Sequence, residues 1–496
     1  MTLPRLSASL VKTQTDLLQN ADQLLALPEK VLQFGTGVLL RGLPDFFINK
    51  ANQSGEFNGR IVVVKSTDKG GVDAFAEQDN VFTQAIRGID NGQPVEENII
   101  NTAISRTLSA KAQWSDIMAT ASSKDMQIII SNTTEVGIQL VEDDLLASPP
   151  VSFPGKLTAY LYERFNAFNG SPESGMVIIP TELLPDNGAK LKSIVLEQAR
   201  RHQLPDAFIN WIDTANRFCS SLVDRIVPGA PAQDVHAALE ESLGYRDELL
   251  IMSEAYRLWA IEGDEQVKEI LSFAKTDTGV IIEPDIDIYR ELKLRLLNGT
   301  HTLCVGLCYL AGLNTVREVM ENKSTSQFVE DLMQSDLAPA IPYAVDPEQA
   351  HEFGKQVLDR FRNPSIRHQL IDITVQYTAK MKMRNVPTIL HHYKSSGTIL
   401  PNVAKGFAAY LLFMKATETD GKNYYGFRDG EKYPIRCDAA GYFYEAWKKH
   451  GENPEELVNA VLSDVELWGT DLTLLPDFAE SIAEQLSKYY AEGVRA

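Results

Sequence analysis

Lys293, Asn298 and His301 fall within one nine-residue stretch, Lys-Leu-Arg-Leu-Leu-Asn-Gly-Thr-His. On an α-helix turning about 100° per residue, Asn298 stands about 140° from Lys293 and His301 about 80° from it. The three share a face, with His301 between the others. A lysine, an amide and an imidazole converging on one point suit reduction of a ketone. Partial burial lowers a lysine's pKa toward neutrality, so it can hand a proton to a developing alkoxide. The amide can donate a hydrogen bond to that oxygen, and the imidazole can orient or polarise it. The same spacing also fits a solvated lysine, a capping Asn-Gly pair and a satisfied core histidine. A metal reading starts from the same helix, where His301, Cys304 and Cys308 occupy adjoining turns. No second Cys/His cluster offers a fourth ligand, and cysteines at helical spacing are commonly small core residues, so no metal is expected.

A second pattern suits nucleotide binding. The apolar run Val31-Leu-Gln-Phe34 leads into Gly35-Thr36-Gly37-Val38-Leu39-Leu40-Arg41-Gly42. A glycine at 35 permits a tight turn, and one at 37 lets the backbone approach a pyrophosphate at a helix N-terminus. The third glycine of the usual fingerprint is replaced by Leu40, so the motif alone is weak. Its place at the first strand-to-helix junction strengthens it. Phe34, Gly35, Thr36, Gly37, Val38, Leu39 and Arg41 are the cofactor candidates here. The next strand should end on the group that reads the ribose. Asp68 suits a free 2′-hydroxyl and Lys65 a 2′-phosphate, which leaves NAD against NADP open.

These residues need elements to hold them. Runs at Lys30–Phe34, Arg60–Val64, Met126–Ile130 and Met176–Ile179 read as buried parallel strands alternating with helices. A helix is expected over Val38–Asn49, and Asp90-Asn91-Gly92 marks a hairpin. Beyond Asp287 nearly every segment has helical periodicity. The expected architecture is therefore α/β: an N-terminal Rossmann-type domain with a mostly parallel sheet over 1–285, then an all-helical substrate and catalytic domain over 286–496. The chain has 496 residues and a formal net charge of −20, which argues against nucleic acid and anionic membranes as partners. Four cysteines form no disulfide framework, and no apolar run is long enough to span a bilayer. A cytoplasmic protein acting on a small molecule is expected. Nothing in the pattern demands a symmetric interface.

With these motifs in place, the chain resembles the mannitol dehydrogenase family of polyol-specific long-chain dehydrogenases. Lys293-x4-Asn298-Gly-x-His301 is similar to the family's catalytic signature, and Phe34 to Gly42 to its cofactor loop, including Arg41. Ser131-Asn-Thr133-Thr-Glu135-Val-Gly137 resembles its T-x-T-E-x-G segment, which adds Thr133 and Glu135 to the cofactor candidates. Leu222-Val-Asp224-Arg225-Ile226 and Arg360-Phe-Arg-Asn363-Pro364 resemble two further motifs. The resemblance implies metal-independent hydride transfer from NAD(H). Lys293 would be the general acid/base, Asn298 the oxyanion-stabilising amide and His301 a substrate contact. Asp224 and Lys380 would be further active-site residues.

The departures narrow the substrate. Polyol members read C-D-N-x-x-x-N-G where this chain has Thr181-Glu182-Leu183-Leu-Pro-Asp-Asn187-Gly188, so an oxyanion-hole asparagine becomes Leu183. A substrate-binding arginine corresponds to Asp372. The chain is more similar to the family's uronate branch, which implies reduction of D-tagaturonate to D-altronate with NADH in hexuronate breakdown. Fructuronate reduction and polyol oxidation are the alternatives within the family, and an NAD-sensing protein without catalysis is the alternative outside it. A uronate needs a cation. The window 360–384 holds six basic residues, Arg360, Arg362, Arg367, Lys380, Lys382 and Arg384, against one acid, Asp372. Lys380, Arg362 and His368 are taken as the substrate-binding candidates.

Overall fold

The structure is a computed structural model that describes residues 3–66, 73–133 and 137–494. The chain divides into two compact units, Met1–Arg87 with Val95–Ile286, and Gly88–Pro94 with Asp287–Ala496.

The first unit is built on a six-stranded sheet. Numbering only its strands, these are β1 (Glu29–Phe34), β2 (Arg60–Lys65), β3 (Ile104–Ser109), β4 (Ile128–Ser131), β5 (Val177–Pro180) and β6 (Arg217–Phe218). Their spatial order is β3-β2-β1-β4-β5-β6, and every neighbouring pair is parallel. That order reverses direction between β1 and β4, and at such a switch point ligands bind beyond the carboxyl ends of the strands. The register aligns Phe34 with Val64 on one side and Ser131 on the other, so β1 and β4 finish level and β2 runs one residue further, to Lys65.

Continuous apolar runs are required because both faces of the sheet are covered. Val31, Ile61, Val63, Ile128, Ile130, Val177 and Ile179 face one core with Phe46 and Phe47 of the helix Pro44–Gln53. The alternate residues Leu32, Phe34, Val62, Val64, Ile129 and Ile178 face the other core, with Leu157, Tyr160 and Leu161 of the helix Phe153–Ala167. The period of two along each strand is thus read out as two cores.

The expected helix over 38–49 is two helices. Val38–Gly42 ends at Leu43, whose φ/ψ of −130°/−76° is not helical, and Pro44 opens the next helix. Proline disfavours helical geometry in the residue before it and suits a first helical turn, so the break follows from Pro44. The strand β3, paired with β2, escaped the sequence reading because its run Ile-Ser-Arg-Thr-Leu-Ser is half polar.

The second unit is dominated by helices. Thr300–Leu310, Pro401–Phe413 and Phe478–Glu492 form its interior. The first two approach closely at Gly406, where an added Cβ would stand 2.6 Å from the Leu303 carbonyl oxygen. The unit is not purely helical: Glu418–Thr419, Tyr424–Arg428 and Glu431–Pro434 form a small antiparallel sheet. Its second hairpin turns at Asp429-Gly430, both at positive φ (52° and 80°). Asp-Gly between strand-like runs is the sequence signal for such a turn. Among the described residues no helix is long and apolar enough to cross a membrane.

Candidate active site

In the first unit, the residues at the switch point are Gly35 to Gly37 after β1 and Asn132 and Thr133 after β4. Gly35 has φ of 131°, and a Cβ there would stand 2.9 Å from Leu40 Cδ1 and 3.0 Å from the Asn132 carbonyl oxygen. Only glycine fits that turn without displacing backbone. Gly37 is different: its φ is −64°, and a Cβ would meet nothing within 4 Å. The protein's own packing does not require glycine there, whereas a ligand lying over the exposed backbone would. Ser66 Oγ, just beyond β2, is buried with no hydrogen-bond partner among the described residues. A buried donor at the strand end that faces a ribose, beside an open glycine, fits a dinucleotide.

The other cofactor candidates divide. Thr36 is half-buried at the turn, while Phe34 is fully buried and packs on Phe153 at 5.1 Å between ring centroids. Val38 and Leu39 pack against the core. The Arg41 guanidinium is buried, donates to the Leu249 carbonyl oxygen at 2.6 Å and lies over the Phe75 and Phe82 rings. Burial also pushes its pKa down, so its visible work is to anchor the short helix. Asp68 and Glu135 lie outside the described residues. Lys65 closes β2, half-buried.

Glu182 holds the β4 loop and was not singled out from the sequence. Its buried carboxylate accepts from Ser131 Oγ at 3.2 Å, Thr133 N at 2.8 Å and Thr133 Oγ1 at 2.9 Å. Thr133 is therefore fixed by Glu182. Leu183, next to it, is 62% exposed. Asp224 ends the strand Ser221–Asp224, buried, opposite Leu258.

In the second unit, Lys293 to Gly299 form a π-helix that continues into Thr300–Leu310. This corrects the angular arithmetic of a regular helix. With i→i+5 bonding, Asn298 stacks one turn from Lys293 instead of standing across the face. A second π stretch, Met381–Asn385, directly follows Lys380. Arg295 joins the two: its Nη1 donates to the carbonyl oxygens of Met383 (2.8 Å) and Arg384 (2.7 Å), while Nε pairs with Glu291 at 2.9 Å. A Cβ on Gly299 would stand 2.9 Å from Asn385 Oδ1, so glycine allows the close crossing.

His301 is buried between Phe361, stacked at 4.1 Å, and His368, edge-on at 5.2 Å. Its Nε2 has no hydrogen-bond partner among the described residues. Burial, His368, Arg384, Arg360 and Lys380, in that order, hold its pKa well below the usual imidazole range, so the ring is neutral near pH 7. The Asn298 side-chain amide makes no hydrogen bond among the described residues, while its carbonyl oxygen accepts from Thr302 Oγ1 at 2.7 Å and Arg384 Nη1 at 3.4 Å. Lys380 donates to the Ile373 carbonyl oxygen at 2.8 Å, and burial, Arg384 and Arg436 lower its pKa. His368 is also shifted down, chiefly by burial.

Arg362 does not join this group. Its exposed guanidinium faces Glu330 at 3.8 Å and Asp359 at 3.6 Å. Arg367 and Lys382 are exposed as well. Asp372 pairs with Arg436 at 2.8 Å on the surface. The six-cation window therefore splits: three point outward, and Arg360, Lys380 and Arg384 gather near His301. Cys304 and Cys308 are buried, with Cys304 Sγ turned to the His301 carbonyl oxygen. Among the described residues no group of three or more His, Cys, Asp or Glu could hold a metal ion.

Residues 29–274 match the mannitol dehydrogenase Rossmann domain and residues 285–490 the mannitol dehydrogenase C-terminal domain. The chain belongs to the mannitol dehydrogenase family. Its similar relatives within that family include an altronate oxidoreductase of Yersinia enterocolitica, 38% identical over 95% of this chain and 96% of that one. An altronate oxidoreductase of Bacillus subtilis is 35% identical over 96% of this chain and 95% of the other. Among solved structures, a mannitol 2-dehydrogenase of Pseudomonas fluorescens in ternary complex with NAD and D-mannitol covers the whole chain and 98% of its own. It superposes with a TM-score of 0.63 at 22% identity. A substrate-free D-sorbitol dehydrogenase gives a TM-score of 0.73 at 18% identity, with 95% of each chain covered. Both solved structures share the fold of this chain.

Proposed function

We propose that this mannitol dehydrogenase family member reduces D-tagaturonate to D-altronate with NADH. The observation that carries the reading is the neutral, buried His301, its Nε2 without a hydrogen-bond partner among the described residues, inside a group of cations, Arg360, Lys380 and Arg384, with Asn298 three residues before it. A neutral imidazole and an amide suit a ketone oxygen, and the surplus positive charge suits a carboxylate on the same substrate. Relatives named altronate oxidoreductase, similar over nearly the whole chain, support the same substrate class.

When bound, NADH would supply the hydride. The residues Gly35 to Leu39 would carry the pyrophosphate over the open Gly37 backbone, with Thr133 held in place by Glu182. Lys293 gives its proton to the alkoxide that forms as the ketone is reduced. Asn298 donates a hydrogen bond to that oxygen, and His301 can donate one while remaining uncharged. Asp224 and Lys380 are assigned to binding the substrate. The buried Ser66 Oγ and the residues next to it are assigned to the ribose, and NADH is preferred to NADPH.

The test follows NADH oxidation by the purified protein with D-tagaturonate, D-fructuronate and D-fructose. The expected order places tagaturonate first and fructose last. A preference for fructose would overturn the carboxylate argument, and a preference for fructuronate would reassign the substrate within the class. Repeating the assay with NADPH checks the cofactor.

A further inference from the structure

Arg384 is a half-buried cation with no carboxylate against it among the described residues. Its Nη1 is used by Thr302 Oγ1 at 3.0 Å and the Asn298 carbonyl oxygen at 3.4 Å. Its Nε is buried with no acceptor, and no carboxylate pairs with any of its nitrogens among the described residues. Arg295 is paired with Glu291, Arg60 lies near the charge of Glu29, and Arg225 near Glu254 and Asp277. The buried Arg164 spends its Nε and both Nη atoms on backbone carbonyl oxygens instead, which Arg384 does not. Burial alone brings Arg384 down to about 10, with no acid acting against it. Withdrawing a guanidinium from water without a counter-charge is costly, and a charged partner arriving from outside would relieve that cost.

The backbone shows that this position is built and not incidental. Arg295 clamps the carbonyl oxygens of Met383 and Arg384, and Gly299 lets the two π stretches close on each other. Through Asn298 and Thr302, the guanidinium is tied to the same turns that carry the amide and His301. Four other cations of the window are worse placed. Arg362, Arg367 and Lys382 are exposed, and Lys380 is already bound to the Ile373 carbonyl oxygen.

We propose that Arg384 is the specificity-determining residue that binds the substrate's carboxylate, through the side of its guanidinium that Thr302 and Asn298 leave unused. This rests on the keto-uronate reading given above. A planar guanidinium meets a carboxylate in two parallel hydrogen bonds, which an ammonium cannot reproduce.

The experiment measures kcat/KM for D-tagaturonate and for the neutral ketose in which CH2OH replaces the carboxylate. It uses the full chain with saturating NADH, as wild type, Arg384→Gln and Arg384→Lys. The expected result is a uronate-to-ketose ratio that falls about a hundredfold or more in Arg384→Gln. Arg384→Lys should recover only part of it. A purely structural role would lower both substrates together and leave the ratio alone, which would overturn the proposal. So would a Lys variant equal to wild type, since the planar fork would then be unnecessary. If Arg384→Gln does not fold, Arg384→Lys and guanidinium rescue of Arg384→Ala give the same ratio: rescue favouring the uronate supports the proposal, and equal rescue of both substrates refutes it. A wild type that prefers the neutral ketose would instead overturn the keto-uronate reading itself, so the two failures are distinguishable.

Discussion

Acidification tests the burial of His301. In the unfolded chain this imidazole takes up a proton near its ordinary pKa of 6.5, whereas in the folded chain burial and the surrounding cations hold the pKa well below that value. Between the two values the unfolded state binds more protons, so stability rises with pH and is lost as pH falls below the unfolded value. One proton refused by the folded state amounts to about 1.4 kcal/mol per pH unit below that point. From about pH 7.5 to about pH 5.5, His301 should therefore remove on the order of 1 kcal/mol, the first part of the interval lying above the unfolded pKa. His368 acts in the same direction. The assay is urea unfolding of wild type and His301→Asn at both ends of this range, with selectively labelled histidine NMR as a direct reading. Among the eight histidines, the resonance lost in the variant should show no titration over the interval. The variant should lose on the order of 1 kcal/mol less stability than wild type on acidification. Parallel losses in the two proteins, or a His301 resonance that titrates near 6.5, would refute the account of the site.

Other substitutions address separate parts of the reasoning. Gly37→Ala should leave the thermal midpoint unchanged, because its Cβ meets nothing, yet raise the NADH dissociation constant by about tenfold in a fluorescence titration. Gly35→Ala should lower the thermal midpoint as well, since its Cβ meets the Asn132 backbone. Glu182→Ala strands three donors at Ser131 and Thr133 and should destabilise by about 1–3 kcal/mol in urea unfolding. Lys293→Ala should cut turnover by about a hundredfold or more while NADH binding stays unchanged.

The parts of the fold that could be read from sequence are those written as repeating patterns. Val31–Phe34, Ile61–Val64 and Ile128–Ile130 are apolar throughout because both faces of their sheet are covered, and Gly35 has no alternative at its turn. Lys293, Asn298 and His301 could be nominated by type and spacing; around His301 the structure adds Arg360, Lys380 and Arg384, and Arg384 also reaches the Asn298 carbonyl oxygen. Other features depend on partners far away in the chain. Glu182 gains its part from Thr133, some fifty positions earlier, and Arg384 from Asn298 and Thr302. Counting charges in the window 360–384 could not separate Arg384 from Arg362, because burial distinguishes them and burial is tertiary. Two signals were present and unused: Pro44, which ends a helix before itself, and Asp429-Gly430, which closes a hairpin inside an otherwise helical unit. The π geometry of Lys293–Gly299 left no periodic trace, since seven residues are too few to reveal a changed period.

That π stretch makes the site sensitive to chain length as well as to residue identity. A π segment differs from an α-helix by accommodating an additional residue within its turns. Deleting one residue between Lys293 and Asn298, such as Leu296, would let the stretch relax into an ordinary α-helix. It would keep Lys293, Asn298 and His301 intact as residues. The deletion would also change the angle between Lys293 and Asn298, from one full turn in the π stretch to four α-helical steps of about 100°, about 40° past a turn. A sequence that retains all three side chains but lacks one position between them would then be a homologue by motif and a different molecule by chemistry.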